Sequence, residues 1–126
     1  MSKLIIDAAK EKVFFMIINN NNKYNITYEN SKENYEKLSL LINTFLKSNN
    51  LNLGKISEIY VNRGPGSFAG IRNSLSVVKA FQIVNKIDYY CFSFKDFDAE
   101  NDANYENIPQ LCKKYRIKKN LINPIY

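Results

Sequence analysis

The densest chemical signal in the chain is a ten-residue run, Arg63-Gly64-Pro65-Gly66-Ser67-Phe68-Ala69-Gly70-Ile71-Arg72. A glycine-rich turn that opens into a helix presents backbone N–H groups and the positive end of a helix dipole, so it is a place where anions bind. The spacing does not match the common phosphate loops. A P-loop needs a lysine directly after its last glycine, and Ile71 follows Gly70. In the dinucleotide fingerprint the third glycine falls at Ala69 rather than at Gly70. The other reading of the run is a rigid turn: Pro65 fixes its own φ and biases Gly64 toward extended backbone.

Asp7 is the second chemical candidate. It ends an apolar stretch, where aspartates in nucleotide-handling sheets hold metal or water. Such sites need a second converging carboxylate, and none is apparent at matching spacing. The chain has no histidine and two cysteines, Cys91 and Cys112, without CxxC spacing. Imidazole zinc sites, Ser-His-Asp triads and Cys-His pairs are therefore excluded, and the cysteines read as reduced, buried filler. The residues assign no catalytic group, no metal ligand and no cofactor.

These candidates need elements to hold them. Lys3–Ala8 and Val13–Ile18 read as buried strands. Lys23–Glu29 alternates, with Tyr24, Ile26 and Tyr28 on one face, as a third strand with a wet side. Ser31 is placed to cap a helix over Asn34–Asn50, whose apolar stripe is Leu38, Leu41, Ile42, Phe45 and Leu46. Ile56–Asn62 and Tyr89–Phe94 read as strands around a helix that runs from the glycine turn to about Lys86. The expected fold is α/β: a five-stranded mixed sheet, three strands antiparallel and two parallel, with two main helices. Residues 95–104 read as a loop, Asn107–Tyr115 as a short helix, and Lys118–Tyr126 as extended.

The length of 126 residues allows one core and no second lobe. No apolar run spans a membrane, and no leader is visible, so a cytoplasmic protein is expected. The net charge is +6, from 18 basic and 12 acidic residues, with only three arginines among the basic groups. Arginine is the usual choice for base and phosphate readout, so an AT-rich codon bias toward lysine accounts for much of the excess. Residues 88–110 are acidic, and 111–126 carry Lys113, Lys114, Arg116, Lys118 and Lys119 with no acid. Direct nucleic-acid binding through that basic tail, with Arg63 and Arg72, is one reading; a solvated face is the simpler one.

The run Tyr60–Arg72 resembles the signature of the TsaB (YeaZ) family, usually V-x-R-G-P-G-S-F-T-G-x-R followed by a small-rich helix with a lysine, here Asn73–Phe81 with Lys79. The flanks agree: Ile6-Asp7-Ala8-Ala9 stands where the family has I-D-T-S, Asn34–Ile42 where it has H-S-x-x-L-L-P-x-I, and Pro124-Ile125-Tyr126 resembles a closing P-x-Y. The resemblance implies one ribonuclease H-like lobe of the actin/Hsp70-like ATPase fold, spanning residues 1–94. Residues 95–126, an acidic loop and basic tail, stand in place of a second lobe. It further implies a non-catalytic scaffold subunit in adding threonylcarbamoyl to the adenosine next to the tRNA anticodon. The implied partners are TsaD, as a heterodimer, and TsaE through the complex, with tRNA only indirect and a homodimer when the chain is alone. TsaD would dock on the helix pair, with Tyr35, Leu38, Leu41, Ile42 and Phe45 on one helix and Ile71, Ser74, Leu75 and Val78 on the other. The family's Thr-Ser is Ala8-Ala9, its histidine Asn34 and its signature threonine Ala69. These changes remove hydroxyl and imidazole groups from any phosphate contact. The alternative is a small ATP-binding protein using Asp7 and the Gly64–Gly70 loop. Without a second lobe, one side of the sheet is expected to be less covered.

Overall fold

A computed structural model describes all 126 residues. The strands are β1 (Ser2–Asp7), β2 (Lys12–Asn19), β3 (Asn22–Glu29), β4 (Ile56–Asn62) and β5 (Asp88–Phe92). They form one sheet in the order β3-β2-β1-β4-β5. β1–β2 and β2–β3 pair antiparallel, and β1–β4 and β4–β5 pair parallel, as the sequence predicts. The central strands are apolar on both faces because both faces are covered. β3 is the wet edge: Ile26 and Tyr28 lean on the core, and Tyr24 is exposed.

The helix expected over Asn34–Asn50 is two helices, α1 (Lys32–Glu36) and α2 (Leu38–Ser48). Ser31 caps α1, its hydroxyl accepting from Asn34 N at 3.2 Å. Lys37 leaves helical geometry at φ −120°, ψ 29°, and its N–H turns back to Asn34 O. The break frees Tyr35 to point at the glycine turn, while Leu38, Ile42, Phe45 and Leu46 lie on the sheet. Asn50, at φ 60°, ends α2 in the left-handed conformation that asparagine tolerates, and Leu51 N–H closes on Leu46 O. α3 (Phe68–Asn85) lies on the same face. Leu4, Ile6, Phe15, Ile59, Val61 and Cys91 meet the helices in a cluster of 22 buried residues.

The opposite face differs from the expectation of an open surface and a loop over 95–104. Ile5, Met16, Tyr60 and Phe92 point there, and four buried apolar side chains left in water would be costly. Residues 94–117 cover them. A 3-10 turn at Phe94–Phe97, capped by Ser93, sets Phe97 on Phe92. A second turn at Tyr105–Asn107 leads into α4 (Ile108–Lys114), which buries Ile108, Leu111 and Cys112. The segment after α4 makes no regular strand; it touches β5 through a Tyr90–Lys119 bridge, with Asn120 holding Tyr89 N–H. Residues 94–117 are thus the third layer of the same body, and Ile122 in the tail packs back on the helix-side cluster.

Phe97 has 1% of its surface exposed. Phe97→Ala is expected to cost about 3–5 kcal/mol in urea denaturation, whereas a loosely attached loop would lose less than about 0.5 kcal/mol. Burial also pushes the thiols of Cys91 and Cys112 up to about 12; Arg63 partly offsets this for Cys91, and the charge of Asp96 adds to it for Cys112. The folded state therefore holds these protons more tightly than the unfolded chain does. Their contribution to stability is complete below about pH 8.5 and shrinks as pH rises toward the folded values. Melting temperatures under reductant should fall steadily through that alkaline range; a flat profile would contradict the burial.

Candidate functional site

Asp7 sits at the end of β1, beside the end of β4, on the sheet face covered by residues 94–117. It is fully buried, and both carboxylate oxygens are engaged. Ala9 N–H donates to Oδ1 at 3.0 Å. Asn62 Nδ2 donates to Oδ2 at 3.0 Å, and the Tyr105 hydroxyl donates to the same oxygen at 2.6 Å. Burial, followed by the charge of Asp7, raises the Tyr105 phenol far above its usual value, which keeps it a proton donor. Phe14 and Phe94 pack on the Tyr105 ring, and Lys10 Nζ lies 4.2 Å from the Phe94 ring centre. The residue expected to face a nucleotide is thus capped by the chain's own aromatic side chain.

Asn62 carries the connection onward. Its Oδ1 accepts from Gly64 N–H at 2.9 Å, tying the first glycine of the turn to Asp7. Gly64 does not take the extended backbone suggested by Pro65: its φ is 111°, a region open to glycine, and the Gly64–Pro65 peptide is cis. A side chain on Gly64 would run into Ile125 O and Ile71. Gly70, at the start of α3, lies so close to Ala8 O that a Cβ there would collide with it. Ser67 N–H donates to Ala9 O at 2.9 Å, and Ser67 Oγ caps α3 by accepting from Gly70 N–H at 3.1 Å. The Tyr35 hydroxyl lies 3.0 Å from the same Oγ and donates to Asn30. The N–H groups that could cradle a phosphate are therefore partly spent inside the fold.

Arg63 is likewise committed. Its Nη2 and Nε donate to the two oxygens of Asp96 at 2.7 and 3.4 Å, and Nη1 donates to Asn123 O at 2.9 Å. Ile125 N–H closes on Arg63 O at 2.7 Å, strapping residues 121–126 across the turn. An arginine held in this bidentate way is not free for tRNA phosphate. Pro65, Gly66, Phe68 and Arg72 remain exposed. Phe68 leans on Tyr126, and Arg72 lies over the Phe68 ring.

The nine residues expected to meet a partner lie elsewhere than that expectation needs. Tyr35, Leu38, Ile42, Phe45, Ile71, Ser74, Leu75 and Val78 are buried against the chain's own sheet and neighbouring helices, and Leu41 is half-buried. The large apolar residues that these helices show to solvent are Leu40 on α2 and Ile83, Val84 and Phe68 on α3, with Phe68 leaning on Tyr126. Tyr105, Asn62 and Asp96 were missed as site residues. Only the placement of Asn62 beside Arg63, at the end of a strand, offered a local signal.

A family model described as tRNA N6-adenosine threonylcarbamoyltransferase, TsaD, matches residues 19–112. The chain belongs to this family, as a TsaB/YeaZ-type member. A tRNA threonylcarbamoyladenosine biosynthesis protein TsaB from Buchnera aphidicola subsp. Baizongia pistaciae (strain Bp) is 31% identical over 80 residues, covering 64% of this chain and 36% of the relative. YeaZ from Pseudomonas aeruginosa superposes with a TM-score of 0.67 at 18% identity, covering 73% of this chain and 43% of that one. A second solved structure, an uncharacterized protein with similarity to peptidase YeaZ from Pseudomonas aeruginosa, matches with the same values. These likenesses establish the fold. The chain spans less than half the length of each of these relatives.

If Tyr105 closes Asp7, Tyr105→Phe leaves a buried carboxylate short of one donor. The expected loss is about 1–3 kcal/mol by urea denaturation, with the native circular dichroism spectrum kept. A loss below about 0.5 kcal/mol would show that the carboxylate does not depend on this hydroxyl.

Proposed function

We propose that the chain is a non-catalytic, cytoplasmic scaffold subunit in threonylcarbamoyladenosine synthesis on tRNA, docking on TsaD through α2 and α3. The observation that carries this reading is the state of Asp7. A carboxylate that must hold metal or a nucleotide needs a free oxygen, and here Ala9, Asn62 and Tyr105 occupy both. The arrangement suits a rigid support better than the alternative ATP-binding role. TsaE and tRNA would be met only through the assembled complex. Membership of the TsaB/YeaZ type supports the pathway, and the exposed apolar residues of the helices support the contact.

The surface used is not the buried stripe. Leu40, Ile83 and Val84, at 63%, 56% and 75% exposure, are the candidates for a partner's core contact. Half-buried Leu41 follows Leu40 in α2, and half-buried Val77 stands two helical turns before Val84 in α3. An exposed apolar surface of this kind also supports the expected self-association in the absence of TsaD. The covered second face of the sheet removes the other reason for it.

Size-exclusion chromatography with light scattering tests the reading. Alone, the chain should run as a homodimer at micromolar concentration, and with TsaD it should form a one-to-one complex. Leu40→Asp with Val84→Glu should weaken both associations by more than about tenfold while leaving the melting temperature nearly unchanged, because both positions are exposed. A wild-type chain that ignores TsaD overturns the proposal.

A further inference from the structure

A cavity of about 450 Å³ opens beneath α4, on the sheet face away from α2 and α3. Its size lies within the range of small-molecule sites, about 300–1,000 Å³. Lys3 from β1, Glu58 and Tyr60 from β4, Tyr90 from β5, and Lys113 and Arg116 from the end of α4 all line it. Three cations thus face one carboxylate. The carboxylate is already oriented: Tyr60 donates to Glu58 Oε1 at 3.0 Å, and Lys3 Nζ lies 3.6 Å from the same oxygen. Tyr60 and Tyr90 stack at 5.1 Å and 14°, giving the cavity a fixed aromatic wall. Burial and the charge of Glu58 raise the Tyr60 phenol, so it stays a donor.

Lys113 and Arg116 take part in none of the chain's seven ion pairs. Their neighbours differ: Lys114 binds Glu100 at 2.8 Å, and Lys119 lies 3.6 Å from Asp88. Arg116 has φ 55°, and the following N–H, of Ile117, returns to Cys112 O, so the end of α4 fixes where its side chain starts. We infer that this cavity binds a small organic anion, its phosphate or carboxylate held by Lys113 and Arg116 and a donor group of the same molecule held by Glu58. Arginine and lysine supply the charge-assisted bonds an anion needs, and the single carboxylate selects ligands that also carry a hydroxyl or ammonium. Nothing in this site depends on a contact with TsaD, so its failure and the failure of the scaffold reading are separable.

Calorimetric titration of the full chain with inorganic phosphate, AMP and L-serine tests the inference and separates the anion sources. Saturable millimolar binding of phosphate and AMP identifies a phosphate site, and binding of serine identifies a carboxylate site. Lys113→Gln with Arg116→Gly, where glycine suits the left-handed backbone, should weaken that binding by about tenfold or more without lowering the ligand-free melting temperature. Glu58→Gln should weaken AMP or serine, whose hydroxyl or ammonium donors stand apart from the anionic group, more than it weakens inorganic phosphate. Absence of saturable binding to all three probes overturns the inference. So does an equal loss in Lys114→Gln, whose lysine lies outside the cavity, because that would mean nonspecific attraction to a basic surface.

Discussion

One buried carboxylate organises the molecule. Asp7 is withdrawn from water at the end of β1, and a buried charge persists only when its oxygens are satisfied. Its three donors come from three parts of the chain: the β1–β2 turn, the end of β4 and the layer formed by residues 94–117. The Asn62 side chain extends the connection to Gly64, and so to the glycine turn. Moving any of these parts would leave the carboxylate unsatisfied. The sheet end, the turn and the covering layer are therefore held in one relation.

The glycine turn is held from several sides in the same way. Backbone of the β1–β2 turn presses on Gly66 and Gly70, Tyr35 approaches Ser67, and Arg63, paired with Asp96, holds the strap of residues 121–126 through Asn123 and Ile125. A turn so supported is a rigid joint between sheet and helix. The break at Lys37 belongs to that arrangement, because it lets Tyr35 serve the turn while α2 covers the sheet. The consequence for function is a division of faces: α2 and α3 show their few exposed apolar residues on one side, and the cation-lined cavity opens on the other.

Much of the fold was legible in the residues. Hydrophobic periodicity placed all five strands and the long α3, and strand–helix–strand spacing fixed which pairs are parallel, because these patterns follow from the period of each element. The Ser31 cap and the Asn50 stop were legible for the same local reason. The signature Arg63–Arg72 pointed to the TsaB/YeaZ type. Of the layer formed by residues 94–117, the short helix near Asn107–Tyr115 was legible and is α4; its packing over the sheet was not, because Phe94 and Phe97 stand among acids and asparagines and form no periodic run.

The sequence by itself determined what each element is, where the turn lies and which chemistry is missing, since propensity, periodicity and residue inventory are local properties. Only the tertiary structure decided what the charged residues do. Asp7 meets Tyr105 across 98 positions, and Arg63 meets Asp96 across 33. It also turned the expected partner stripe inward, because a helix stripe pattern marks the face that is buried without saying against what. The sheet claimed that face first, leaving Leu40, Ile83 and Val84, with Phe68 at the glycine turn, for any partner.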